Sequence, residues 1–135
     1  MNKSAPYCGQ ATVCVLEADA GVRTAIMDMV SGGGYHAMAF ATPAEFLDSR
    51  LPPGPRCLVL DLWLSELTGS ELQGELERRG LTIPIVFMMA GGDTIIGLHS
   101  TKPGKIHCLV RPFAAENLFA AIEQALSADA ATAGF

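Results

Sequence analysis

Apolar and polar positions along the chain alternate between two periods. Short, nearly continuous apolar runs at 12–16, 36–40, 57–60, 83–89 and 106–110 read as strands. Between them, apolar residues recur at helical spacing. Val22, Ile26, Met29 and Val30 follow i, i+4, i+7, i+8, and Gly32-Gly33-Gly34 ends that pattern. Thr42 before Pro43 predicts a capped helix start, because proline suits a first helical turn. Pro52-Pro53-Gly54-Pro55 is a loop that no helix can cross. A third helix is expected over 69–79, with Leu72 and Leu76 inward and Gly80 as its stop. Asp93 can cap a fourth, weak helix, with Gly97 inside it and Pro103 ending it. The last helix is expected over 114–126, with Leu118, Ile122, Ala125 and Leu126 on one face. Strands alternating with helices imply a parallel sheet covered on both faces. Cys57-Leu58-Val59-Leu60, apolar on both sides of the pleat, marks a central strand.

Bulk properties narrow the class. The 135 residues suit one domain, here 12–127, with 1–11 as an N-terminal extension and 128–135 as a small-residue, flexible tail. No apolar run approaches the ~18 residues of a membrane helix. The first ten residues lack the apolar stretch of a signal peptide, so a cytoplasmic location is expected. Net charge is −5 and the nine Lys and Arg are scattered, which argues against direct nucleic-acid binding. Cysteines at 8, 14, 57 and 108 form no C-x-x-C pair and read as small apolar residues in a reducing compartment. Gly32-Gly33-Gly34 follows a helix rather than a strand, so it is not a phosphate-binding loop. His36, His99 and His107 show no ligand spacing, and no nucleophile–base pair can be placed at one site. An enzyme is therefore not expected.

Parallel sheets of this kind bind ligands at the C-terminal ends of their strands. There the sequence places Glu17 and Asp19 after the first strand, Asp61 after the third, Met89 and Ala90 at the close of the fourth, and Arg111 after the fifth. Clustered carboxylates repel unless a cation balances them. Mg²⁺ takes oxygen ligands, needing only one or two carboxylates plus waters and phosphate. A carboxylate in such a place can accept a phosphoryl group covalently. The alternative is that Asp61 caps the next segment or sits exposed at a strand end.

These stretches resemble the receiver domains of two-component response regulators. The likeness runs from about 12 to 126 and rests on Val13-Cys14-Val15-Leu16-Glu17-Ala18-Asp19 with Val22-Arg23, and on Ala44-Glu45-Phe46-Leu47. It rests also on Cys57-Leu58-Val59-Leu60-Asp61-Leu62, Leu67-Thr68-Gly69-Ser70-Glu71-Leu72, Ile83-Pro84-Ile85-Val86-Phe87 and Arg111-Pro112-Phe113. The overall character is similar to the nitrogen-fixation type of regulator, whose full-length members add a helix-turn-helix domain. The resemblance implies a flavodoxin-like (CheY-like) three-layer α/β/α sandwich with five parallel strands in the order 2-1-3-4-5. It implies a cis peptide before Pro112 and Asp61 as phosphoacceptor. It further implies Mg²⁺ held by Glu17, Asp61 and the backbone carbonyl of Trp63, and a sensor histidine kinase as partner. A homodimer through the face made by the fourth helix, fifth strand and fifth helix is a further possibility.

The chain departs from the family at the positions that carry its chemistry. The acidic pair falls at Glu17 and Ala18, so the carboxylate that ligates Mg²⁺ directly is missing at Ala18. Asp19 lies one position on and need not point into the cleft. The family's hydroxyl falls at Met89, whose thioether donates no hydrogen bond, and the aromatic switch residue falls at Cys108. The family's Lys is Arg111, planar and forked, able to pair with phosphate or with Asp61 and to balance Glu17 where metal is scarce. Trp63 either stacks on Arg111 or is an exposed loop residue. Metal binding should be weak and switching poorly coupled. Two functions compete: a phosphoaccepting receiver, and a degenerate receiver that binds partners without phosphorylation. For the second, Ile95, Ile96, Leu98 and His99 on the fourth helix would offer a docking patch if exposed.

Overall fold

The computed structural model describes residues 11–61, 69–90 and 106–133. Five strands and four helices follow one another there: β1 (Thr12–Leu16), α1 (Ala20–Gly32), β2 (His36–Phe40), α2 (Pro43–Leu47), β3 (Arg56–Asp61), α3 (Gly69–Arg78), β4 (Ile85–Ala90), β5 (Ile106–Arg111) and α4 (Ala115–Ala133). The strands form one sheet in the order β2-β1-β3-β4-β5, and each neighbouring pair is parallel. The weak helix expected after Asp93, with its candidate docking residues Ile95, Ile96, Leu98 and His99, lies outside the described residues.

The pleat of the central strands sorts the core into two halves. Val13, Val15, Cys57, Val59, Val86, Met88 and Leu109 face one side and pack with Ile26 and Val30 of α1 and with Leu118, Ile122, Ala125 and Leu126 of α4. Cys14, Leu16, Leu58, Leu60, Ile85, Phe87 and Met89 face the other, against Phe46 of α2 and Leu72 and Leu76 of α3. Leu58 and Leu60 have no exposed surface, and burying each such side chain contributes ~1.5–3 kcal/mol. Apolar residues at consecutive positions thus serve two helix layers at once, which is why these strands read as continuous runs.

Local chemistry sets the element ends. Thr42 caps α2, its Oγ1 accepting from Glu45 N at 3.1 Å, with Pro43 next as expected. Strand β4 begins at Ile85 rather than Ile83, because Pro84 has no N–H for the ladder; its carbonyl accepts instead from Leu58 N at 3.0 Å. Val22, expected inward, is exposed: it lies in the first turn of α1, ahead of the stretch where Ile26 and Val30 meet the sheet. Helix α4 runs on to Ala133, beyond the expected end at 126, since its Ala-rich continuation favours helix and contains no Gly or Pro. The turn after α1 is drawn against α4: a Cβ on Gly33 would lie 2.8 Å from Phe119 Cε1, and the Tyr35 hydroxyl donates to Glu123.

Candidate functional site

The site follows from the pleat. Glu17 continues the alternation that points Val13 and Val15 toward α1 and α4. Asp61 continues Cys57 and Val59, and Arg111 continues Leu109. All three emerge on the same side of the sheet, at the C-terminal ends of β1, β3 and β5. The ladder pairs Leu16 with Leu60, so Glu17 and Asp61 come next on adjacent strands. Asp61 pairs with Met88, whereas Arg111 pairs with Ala90, two positions farther along β4. Arg111 therefore reaches back across β4 to meet the carboxylates.

That reach succeeds. Arg111 Nη2 donates to Glu17 Oε1 at 3.1 Å and lies 3.5 Å from Asp61 Oδ2. The first contact is a charge-assisted hydrogen bond; the second is an ion pair without close hydrogen-bond geometry. The same nitrogen passes 3.9 Å from Met88 Sδ. The side chains differ in exposure: 6% for Glu17, 19% for Asp61 and 34% for Arg111. A buried carboxylate needs a counter-charge, and Arg111 supplies it to Glu17 from the sheet edge.

Glu17 is fixed from several directions. Its N–H donates to Phe40 O at 3.1 Å, extending the β1–β2 ladder, and its Oε2 accepts from Asp19 N at 3.1 Å. Arg23 Nη1 donates to Glu17 O at 2.7 Å and to Ala18 O at 3.3 Å, tying α1 to the end of β1. Sequence reasoning missed Arg23 as a positioning residue; its place one turn into the helix after the strand was the available signal. Asp19 is the N-cap of α1, its Oδ1 accepting from Val22 N at 2.9 Å. It is spent on the helix, and Ala18 beside it is exposed.

The remaining expected positions separate from this cluster. Met89 points to the opposite side of the sheet, 6% exposed, in the core half built on Leu60, Phe87 and α3. Cys108 is exposed on β5, where it pairs with Phe87, and Met89 pairs with Val110. Although Cys108 is exposed, partial desolvation of its thiol raises its pKa above the ordinary range. The Arg111–Pro112 peptide is cis. Trp63 lies outside the described residues.

Comparison with known proteins agrees with this architecture. The family model for the response regulator receiver domain matches residues 13–123. The chain belongs to that family. Among its relatives is Nodulation protein W of Bradyrhizobium diazoefficiens, 33% identical over 120 residues, covering 89% of this chain and 53% of that protein. The transcriptional regulatory protein TdiR of Thauera aromatica is 30% identical, covering 86% of this chain and 51% of that protein. Among solved structures, the response regulator StyR superposes with a TM-score of 0.83 at 34% identity, over 93% of this chain and 64% of that one. The chain thus spans about half the length of the curated relatives it matches. It is a receiver domain of a two-component response regulator, a signalling domain, with the flavodoxin-like order 2-1-3-4-5. No helix among the described residues is long and apolar enough to cross a membrane.

Receiver domains bind Mg²⁺ at their phosphorylation site. The donors described here fit that ion poorly. Glu17 and Asp61 both face one guanidinium, Ala18 offers a methyl group, and Asp19 is committed to α1. Among the described residues, no three of His, Cys, Asp and Glu assemble in a way that could hold a metal ion. Octahedral Mg²⁺ would have to draw both carboxylates away from Arg111.

Proposed function

We propose that this receiver acts in phosphorelay signalling with Asp61 as its phosphoacceptor, and with metal binding and switching both weakened. The observation that carries the reading is the meeting of Asp61 Oδ2 with Arg111 Nη2, 3.5 Å apart at the strand ends. Attack by an Asp61 carboxylate oxygen on a phosphoryl donor would form a new P–O bond. The donor's bond to phosphorus would break, and its electron pair would leave with the donor, an imidazole for a sensor histidine kinase. Charge on the phosphoryl oxygens needs a cation, and the guanidinium of Arg111 stands where it can provide one. Weak switching follows from Met89, a buried thioether in place of a hydroxyl, and from Cys108, an exposed thiol in place of an aromatic ring.

The proposed setting is the cytoplasm. Control of transcription is the proposed output, by analogy with the regulator named TdiR, without DNA contact by this acidic chain itself. Self-association through β5 and its flanking helices has one support, the exposed Val110 on that edge strand. A second reading, a degenerate receiver that docks partners without phosphorylation, is favoured by the exposed methyl group of Ala18 and the buried thioether of Met89, neither of which can serve phosphoryl transfer or its readout. Incubation with acetyl phosphate, with and without Mg²⁺, followed by intact-mass spectrometry, decides between them. The proposal expects a phosphoryl increment that disappears in Asp61→Ala. A folded wild type that gains no mass, from acetyl phosphate or from a phosphorylated sensor kinase, would leave the second reading standing.

A further inference from the structure

We infer that Arg111 is the resident cation of this acid site, so that its guanidinium and a divalent metal ion compete for the same two carboxylates. The inference concerns only the cation and rests on no phosphoryl transfer. Three observations carry it. First, the Glu17 carboxylate is 6% exposed and both of its oxygens are engaged, Oε1 by Arg111 Nη2 and Oε2 by the N–H of Asp19. Second, the same Nη2 lies 3.5 Å from Asp61 Oδ2, so one nitrogen serves both acids from between them. Third, the residue that would tip the balance toward metal is absent. Position 18 carries a methyl group, and the neighbouring carboxylate, Asp19, caps α1.

A doubly charged ion between Glu17 and Asp61 would sit within a few ångströms of a fixed positive charge and be repelled by it. Arginine cannot relieve that repulsion by deprotonating, as a lysine can. Moving Arg111 away is also unfavourable. Its Cα is held in the β4–β5 ladder opposite Ala90, and its departure leaves the buried Glu17 carboxylate without a counter-charge, with only the Asp19 N–H on Oε2, until the metal arrives. The two cations are thus mutually exclusive. Restoring the missing ligand is not enough while Arg111 remains.

The test uses Mn²⁺ alone as the probe, with free Mn²⁺ followed by its electron paramagnetic resonance signal and no phosphodonor present. Wild type should leave the signal unchanged into the millimolar range. Ala18→Asp, at an exposed position, should bind within about twofold of wild type. Arg111→Gln, which removes the charge and keeps a polar head, should bind at least about tenfold tighter than wild type, and Ala18→Asp with Arg111→Gln tighter still. Adding Asp61→Asn to Arg111→Gln should abolish the gain. A gain of about tenfold or more in Ala18→Asp with Arg111 in place would overturn the inference, as would a folded Arg111→Gln that binds no better than wild type. Failure of Asp61 to take phosphate from acetyl phosphate would bear on the proposed function and leave these affinities untouched.

Discussion

The central strands β1 and β3 and the edge strand β5 contribute to the site on different terms. β1 and β3 are closed on both faces, with Val13, Cys14, Val15 and Leu16 and then Cys57, Leu58, Val59 and Leu60 all lacking exposed surface. They end in Glu17 and Asp61, held by the same ladder that holds the core. β5 buries Leu109 but leaves Cys108 and Val110 exposed, and it sends only Arg111 into the cluster. At the strand ends one cation from the edge offsets one of the two carboxylate charges, leaving a net of one negative charge where position 18 supplies no acid. On the function proposed above, the switch positions fall at Met89 and Cys108, which offer neither a hydroxyl nor an aromatic ring. The two groups occupy opposite faces of the sheet, Glu17, Asp61 and Arg111 on one and Met89 and Cys108 on the other, so a change in one need not disturb the other.

The contrast between buried and edge strands can be broken first with thiol chemistry, where the expected effect is largest. Burial pushes the Cys14 thiol from 9.0 up to about 12, against a smaller opposite pull from Arg56. Its thiolate is then roughly a thousandfold scarcer near neutral pH, so iodoacetamide mapped by peptide mass should label Cys108 and spare Cys14. The same shift has a sign for stability. A thiol kept neutral by folding contributes stability that is whole below its unfolded value and is lost as pH rises through the folded one. Unfolding midpoints should therefore fall between pH 9.0 and about 12, and less so in Cys14→Ala. Equal labelling of both cysteines would show that β1 is not closed.

Next in size is Arg111→Ala. It leaves Glu17 buried without its counter-charge and should cost about 1–3 kcal/mol in urea unfolding, reduced from a fully buried pair by the exposure of Arg111. Met89→Thr restores the family's hydroxyl but places it in an apolar core half, and should cost about 1–3 kcal/mol by the same measurement. Cys108→Tyr, on the exposed face of β5, should change stability by less than about 0.5 kcal/mol. A costly Cys108→Tyr beside a harmless Met89→Thr would reverse the assignment of core and edge.

Much of this was legible in the sequence because a period of two and a period of 3.6 leave different marks. The apolar runs mark all five strands among the described residues, and Asp61 at the end of Cys57-Leu58-Val59-Leu60, like Glu17 at the end of β1, is a charge closing a two-faced strand. That Arg111 lies against Glu17 and Asp61 is less legible, since it depends on a two-position offset between β3 and β5 that no spacing reveals. The capping role of Asp19 and the ties from Arg23 were not read, because an acid and a base near a strand end look alike whether they serve a helix or a site. Val22 was misplaced for a related reason: helical spacing identifies a face but not where along the helix the sheet begins.

The central claim is that one guanidinium from the edge strand is the shared ion-pair partner of the acids of the central strands. A double-mutant cycle between Arg111→Ala and Glu17→Gln, read as unfolding free energy in urea, tests it most directly. The account predicts a coupling of about 1–2 kcal/mol, with the loss from Arg111→Ala largely gone once Glu17 is neutral. Additive losses, with coupling below about 0.3 kcal/mol, would contradict it and leave Arg111 a bystander at the strand ends.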